Sequence, residues 1–227
     1  MTLDDALTLM KTHVEPGRAE GMRGYHKIDR TYLGIANGPL DDLAKDWRRG
    51  LSVGERVALA DSLWQTDIYE ARVLAAKLLT QARIRDDDAV WRLIASWVPD
   101  FDSWAIADHA MMAGQRRVVA DSTRLDEIER WTTSDHMWTR RAALVITLRF
   151  NRSRDASAEE LAIRERVLGW AASYVDDKQW FIQKAVAWWL RDLSKRDPAR
   201  VRAFLDLYGA RMKAFARKEA AKYLPKD

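Results

Sequence analysis

Three segments of the chain repeat one helical pattern, and this repetition limits the fold more than any other feature of the sequence. The segments DIYEARVLAAKLL, DHMWTRRAALVITL and KQWFIQKAVAWWL each begin with polar residues, place an aromatic residue early and continue with apolar residues. Apolar positions spaced three and four apart are typical of amphipathic helices. In each segment a cation follows an aromatic residue by three positions: Tyr69 to Arg72, Trp138 to Arg141 and Phe181 to Lys184.

The distances between these segments indicate a repeated unit. Arg141 and Lys184 are 43 residues apart, and the 69 residues between Arg72 and Arg141 leave room for a further helix pair. Helix pairs that recur every 35 to 45 residues or so are the mark of HEAT and armadillo repeats. The sequence therefore predicts an all-α fold, a right-handed α-solenoid of HEAT-like helical repeats with a concave basic groove, as a single domain over residues 1–227. An irregular helical bundle is the alternative.

The composition argues against several classes of function. The chain has no cysteine, which excludes disulfides, thiolate metal sites and cysteine nucleophiles, and fits a cytoplasmic protein. Its four histidines lack the spacing of metal ligands, so we expect no metal and no other cofactor. His109 follows Asp108 directly, and we expect a solvent-exposed side chain because adjacent helical residues point about 100° apart. The polar N-terminus does not resemble a signal peptide, and no apolar run of about 18 residues predicts a membrane span.

The charge is mildly basic and unevenly distributed. The formal net charge is +4, and six basic residues lie between Arg211 and Lys226 against one acid, Glu219. Such a segment permits binding to a polyanion. The chain also has eleven tryptophans, whose rings either fill a core or form stacking surfaces.

Three predicted helices carry a charge on the face that is expected to be apolar. In the first, from about residue 101 to 113, Asp108 follows Trp104 by one turn. In the second, from about residue 137 to 150, Arg141 is aligned with apolar residues. The third, from about residue 180 to 193, carries a stripe of rings and cations: Trp180, Lys184, Trp188 and Arg191. A buried unpaired charge is costly, so these helices are expected to line a water-accessible groove. A structural ion pair between Asp108 and Arg141 is the alternative.

These segments resemble the DNA alkylation repair family of HEAT-like-repeat DNA glycosylases, of the AlkD type. The resemblance runs from about Met22 to Lys222, through MRGYHKIDRTYLGI, SWAIAD, MWTRRAAL, FIQKAVAWWLRD and ARKEAAKYL. It implies a monomeric hydrolase that removes N3- and N7-alkylated purines from double-stranded DNA. It also implies an enzyme with no metal or redox cofactor and without the deep base-flipping pocket of most glycosylases.

The resemblance also implies roles for individual residues. Matched by motif, Asp108 is the catalytic carboxylate, and Trp104 and Trp188 are tryptophans of the groove that belong to the catalytic site with it. The implied DNA-binding residues are Tyr25, Arg141, Arg217, Lys218 and Lys222, and the stripe on the third helix adds Lys184 and Arg191. The sequence departs from the family at one point, since Ser103, Trp104 and Ala105 stand where the family often has Trp-Trp-Asp.

The chemistry of these residue types agrees with such a reaction. Loss of a cationic base passes through an oxocarbenium-like sugar, which a carboxylate stabilises. Aromatic ring faces attract a cationic nucleotide, and a guanidinium holds a phosphate. Two other functions fit the same sequence: a helical-repeat protein that binds duplex or branched DNA without cutting it, and a protein-interaction solenoid. The last would show no salt-dependent affinity for DNA.

Overall fold

The computed structural model describes residues 1–225, and Lys226, the last residue of the basic segment, lies outside them. By its internal contacts the chain divides into two compact units, residues 1–117 and the residues from Val118 onward. The helices that begin in the first unit are α1 (Leu3–Lys11), α2 (Arg18–His26), α3 (Asn37–Gly50), α4 (Val53–Trp64), α5 (Tyr69–Leu79), α6 (Asp88–Ser96) and α7 (Trp104–Ala120). Each unit is described by itself, and the single domain over residues 1–227 stays a prediction.

The second unit contains the remaining helices of the described chain. They are α8 (Leu125–Trp131), α9 (Met137–Thr147), α10 (Ala158–Ser173), α11 (Trp180–Ser194), α12 (Pro198–Tyr208) and α13 (Ala214–Ala220). Short 3-10 turns link several helices, at Val98–Asp100, Ser122–Arg124, Leu148–Asn151 and Gly209–Arg211.

The predicted all-α class is confirmed. Residues 1–225 form no strand, and their one isolated β-bridge joins Thr31 to Ile68. Within each unit, helices that are two apart in the chain contact each other: α3 with α5, α9 with α11, and α11 with α13. Stacked helical repeats produce such contacts, because each repeat packs against the next. None of the helices in the described residues is long and apolar enough to cross a membrane.

Local signals fix where several helices begin. A capping box starts α4: the Glu55 amide donates to the Ser52 hydroxyl (3.3 Å), and the Ser52 amide donates to the Glu55 carboxylate (2.8 Å). This exchange satisfies amides that the first helical turn leaves without partners. Equivalent boxes start α1 and α10, through Thr2 with Asp5 and Ser157 with Glu160.

Other boundaries differ from the sequence prediction. Helix α7 begins at Trp104, three residues later than predicted, because Pro99 lies in the preceding 3-10 turn. Phe101, placed in that helix by periodicity, is buried beside the stacked rings of Trp64 and Trp97. Two helices, α1 and α2, are not among the segments in which the sequence shows a helical pattern. Their few buried side chains leave only a weak apolar pattern.

The loop between α2 and α3 is fastened by one buried carboxylate. Glu70, on α5, is completely buried and accepts the backbone amides of Leu33 (3.0 Å), Gly34 (2.7 Å) and Ile35 (3.1 Å). Gly34 has a φ of +86°, and a Cβ atom there would lie 2.9 Å from the Ala19 amide nitrogen. The carboxylate therefore satisfies three amides in a loop whose conformation requires glycine.

We expect Glu70→Gln to lower the free energy of unfolding by roughly 2–4 kcal/mol. The glutamine side chain has only one acceptor oxygen. Its NH2 group would face backbone N–H groups that also donate hydrogen bonds. Urea unfolding measures the loss. The matched control is Glu55→Gln at the exposed capping box, where glutamine replaces the acid well and we expect a loss below about 1 kcal/mol. Equal losses in the two variants would show that Glu70 does not anchor the loop.

Candidate functional site

Five aromatic side chains of the first unit form a continuous group, which we call the Trp104 cluster. Its members are Tyr25, His26, Tyr32, Tyr69 and Trp104. The Trp104 ring lies 6.0 Å from the Tyr25 ring, nearly perpendicular to it, and 5.8 Å from the His26 ring. His26 in turn lies 4.5 Å from Tyr69, and Tyr32 stacks on Tyr69 at 5.1 Å. The cluster brings α2, the loop after it, α5 and α7 together.

The Trp104 cluster has a buried floor and an open rim. Tyr32 and Tyr69 are nearly buried, whereas Tyr25 is 68% exposed and Trp104 is partly exposed. Burial lowers the pKa of His26, against the opposing influence of Glu70, so its imidazole is neutral near pH 7. The His26 ring therefore adds no positive charge beneath the rim.

Asp108 lies one helical turn after Trp104 and shares its face of α7. Its side chain is half-buried. The next residue of this stripe, Met112, is 47% exposed, whereas Met111 and Ala107 are completely buried. The prediction that Asp108 occupies the middle of the apolar face is therefore wrong. The carboxylate lies at the edge of the buried face and is only partly shielded from solvent.

His109 is mostly buried, so the expectation of a solvent-exposed side chain is wrong. Burial, reinforced by the positive charge of Lys77, lowers its pKa to about 4. The nearby Lys77 is held in an ion pair with Asp41 on α3. His109 is therefore neutral over the physiological range, close enough to Lys77 on α5 to be influenced by its charge.

A cation ties the loop after α2 to the start of α7. The Arg30 Nε donates to the Asp102 carboxylate at 2.6 Å, and its Nη1 donates to Asp67 at 3.1 Å. The Arg30 side chain is only 9% exposed. The ion pair with Asp102 joins the loop after α2 to a residue two positions before Trp104. It thereby holds Tyr25, at the end of α2, beside the Trp104 ring. The sequence reasoning missed Arg30, Glu70 and His26, because their partners are distant along the chain.

In the second unit, the predicted stripe on α11 lies along the more exposed face of that helix. Lys184, Trp188 and Arg191 are partly exposed, and Trp180 is 49% exposed. The Lys184 Nζ and the Arg191 Nη1 each lie 2.5 Å from a different carboxylate oxygen of Glu219 on α13. One acid thus pairs with both predicted DNA-binding cations of the stripe.

Aromatic packing also joins α13 to α11. Trp180 stacks on Phe215 at 5.6 Å, with the planes 23° apart, and meets Phe181 edge-on at 4.9 Å. The Lys184 ammonium lies 5.9 Å from the Trp180 ring centroid. These contacts and the Glu219 ion pairs fix the helix that carries the C-terminal basic residues.

Arg141 does not occupy the water-accessible position that the sequence predicts. Only 3% of the residue is exposed, and its Nη1 donates to the Phe181 carbonyl at 3.2 Å. Its guanidinium carbon lies 5.9 Å from the Phe181 ring centroid. Burial of this helix face against α11 explains the difference. Its contact with DNA stays a prediction.

The C-terminal cations face solvent. Arg217, Lys218 and Lys222 are all exposed. Tyr223 lies between two lysines, with the Lys195 Nζ 4.9 Å and the Lys222 Nζ 5.3 Å from its ring centroid. Across residues 1–225, no group of three or more histidine or acidic side chains is arranged to hold a metal ion.

A family model described as DNA alkylation repair enzyme matches residues 6–224. The chain belongs to this family. The match confirms the resemblance seen in the sequence motifs and extends it over both compact units. It makes the chain a member of a family of DNA repair enzymes.

Solved structures share the fold. A protein of Enterococcus faecalis, described as a predicted DNA alkylation repair enzyme, is 22% identical, with a TM-score of 0.77 over 95% of this chain and 98% of that one. AlkD2 of Streptococcus mutans is 18% identical, with a TM-score of 0.66 over 99% of this chain and 100% of that one. No curated protein matches the chain. At these identities the similarity establishes the fold of this family member. Its chemistry has to be inferred from its own residues.

The mostly buried His109 makes the stability of this repair-family protein sensitive to acid. The unfolded chain protonates this histidine below about pH 6.5, whereas the folded protein resists until about pH 4. Stability is therefore lost as the pH falls through that window, by up to about 3 kcal/mol from this residue. We expect His109→Gln to lose less stability than the native protein between about pH 7 and about pH 4.5 in urea unfolding.

The exposed His13 provides the control, because His13→Gln should leave the pH dependence unchanged. If His109→Gln and the native protein lose stability equally on acidification, His109 is not the residue responsible.

Proposed function

We propose that the protein is a DNA glycosylase that removes cationic, N3- or N7-alkylated purines from duplex DNA. The observation that carries the proposal is the position of Asp108, a half-buried carboxylate one turn from the half-buried Trp104 ring. Membership of the DNA alkylation repair enzyme family supports alkylated DNA as the substrate. A carboxylate is out of place on a surface that only binds phosphates, because it repels them.

The proposed reaction is hydrolysis of the bond between the alkylated base and C1′ of its deoxyribose. The bonding electron pair leaves with the base, which neutralises the positive charge of the alkylated ring. The sugar becomes oxocarbenium-like, and water then adds to C1′ and gives up a proton. Asp108 stabilises the developing charge on the sugar and accepts a hydrogen bond from the attacking water.

The aromatic rim contributes in two ways. The ring faces of Trp104 and Tyr25 attract the cationic nucleotide, by roughly 0.5–2 kcal/mol for each ring. Trp188, on α11, stays a predicted catalytic residue. The neutral rings of His26 and Trp104 also lower the local polarity near Asp108, and a carboxylate acts on a nearby charge more strongly in such surroundings.

DNA binding is proposed to depend on backbone contacts. Arg217, Lys218 and Lys222 are exposed cations on or next to α13 and suit phosphate oxygens. Such contacts carry no sequence information, so affinity should depend strongly on salt and little on sequence.

Asp108→Asn tests the chemistry directly. The amide keeps the size of the side chain and removes the charge that stabilises the sugar. We expect release of 7-methylguanine from methylated duplex DNA to fall by about 10²–10³-fold, the usual effect of removing one electrostatic group. Binding to the same duplex should change by less than about threefold or become slightly tighter, because a charge that repels phosphate is gone.

The control is Asp206→Asn, which removes the same charge from an exposed position on α12 and should leave excision unchanged. If the native protein and Asp108→Asn both bind DNA and neither releases the base, the chain is a DNA-binding relative without this activity. If Asp108→Asn excises at the native rate, the carboxylate has no catalytic role.

Glu219→Gln tests whether the cations of α11 reach DNA phosphates. The substitution removes the acid that pairs with Lys184 and Arg191. We expect tighter binding to unmodified duplex DNA, and a plot of log affinity against log salt that is steeper by about one to two. Fluorescence anisotropy at several salt concentrations measures both quantities.

The matched control is Glu165→Gln, which also removes an ion-paired acid, here the partner of Arg200. It should change the slope of log affinity against log salt less than Glu219→Gln does. A Glu219→Gln protein that stays folded and binds DNA with the native salt dependence would exclude Lys184 and Arg191 as phosphate contacts.

A further inference from the structure

Lys27 has a backbone conformation that a lysine rarely adopts. It follows the last residue of α2 with φ +56° and ψ +36°, in the left-handed region. Glycine and asparagine are the usual residues at the C-terminal end of a helix in this conformation. In residues 1–225 the one other non-glycine residue with positive φ is Asp86, in the loop before α6.

The structure on both sides of Lys27 enforces this turn. Before it, Tyr25 and His26 pack against Trp104. After it, Arg30 is held by Asp102 and Asp67. The chain has only residues 27–29 in which to change direction between these anchors. Because the turn is fixed from both sides, the Lys27 backbone is held in place.

This turn puts a lysine at the C-terminal end of the helix that carries Tyr25, a residue of the open rim. Lys27 is exposed, lies two residues after Tyr25 and forms no ion pair within residues 1–225. Arg23, one turn earlier on α2, is also exposed, and its guanidinium carbon lies 6.0 Å from the Tyr32 ring centroid. The two cations flank Tyr25 on a short, firmly held segment.

We propose that Lys27, together with Arg23, binds a backbone phosphate of the DNA strand that carries the alkylated purine. The inference rests on the proposed function, since it takes the rim of the Trp104 cluster as the place where the damaged nucleotide is received. A fixed backbone favours such a contact, because less conformational freedom is lost on binding. Lys27 thus adds to the site a residue that neither the family match nor the motifs assign.

Lys27→Gly separates this role from a structural one. Glycine adopts the left-handed conformation without strain, so we expect the urea midpoint of unfolding to stay level or rise. The affinity for unmodified duplex DNA should nevertheless fall about tenfold, with the salt dependence reduced by about one. Lys27→Asn, which also tolerates this conformation, should show the same loss of affinity.

Two controls isolate the cause. Asp86→Gly relieves the same kind of backbone strain in another loop and should not weaken DNA binding. Lys11→Ala removes an equal charge from an exposed position on α1 and should weaken binding by less than about twofold. The proposal is overturned if Lys27→Gly binds DNA as tightly as Lys11→Ala does.

The result of this binding experiment does not depend on whether the protein excises a base. Binding to unmodified duplex DNA needs no excision, so loss of affinity in Lys27→Gly would stand even if the native protein released no base. Conversely, if the protein excises the base but its affinity for DNA does not depend on Lys27, the proposed function stands and this inference is overturned.

Discussion

The position of the Trp104 cluster depends on one buried carboxylate. Glu70 accepts three consecutive backbone amides from the loop after α2, and that loop continues from the helix that carries Tyr25 and His26. Burying a charge is unfavourable unless its oxygens are well satisfied, and here three donors achieve this. Because the loop is held by backbone hydrogen bonds, its side chains remain available for other contacts. Arg30 uses this freedom to fasten the same loop to the start of α7.

The tryptophans divide between two roles that composition does not distinguish. Trp64 and Trp97 stack at 4.3 Å in the core of the first unit, and Trp189 is buried in the second, where its Nε1 donates to the Thr147 hydroxyl. Trp104 and Trp180 instead remain partly exposed, beside a carboxylate and a lysine respectively. The buried rings set the helix positions, whereas the partly exposed rings remain accessible to solvent.

The basic residues also divide into two groups, those that are buried or ion-paired and those that face solvent. The net charge of +4 is an average that hides which cations are available to a ligand. Arg141 is buried against Phe181, and Lys184 and Arg191 share Glu219, whereas Arg217 and Lys218 face solvent. An acid placed against basic residues therefore has two effects: it anchors α13 and it reduces the positive field of α11.

The sequence by itself determined the features that depend on neighbouring residues. Helical periodicity fixed the all-α class, the capping box fixed the start of α4, and the four-residue spacing placed Trp104 and Asp108 on one face of α7. Only the tertiary structure decided that Asp108 lies at the edge of that face, that Arg141 and His109 are largely buried, and that Glu70 and Arg30 hold the loop that follows the helix carrying Tyr25. These outcomes depend on contacts between residues some 30 to 70 positions apart, such as Arg30 with Asp102 and Glu70 with Gly34. A local pattern shows which face of a helix is apolar, but the helices packed against that face decide which of its residues water can reach.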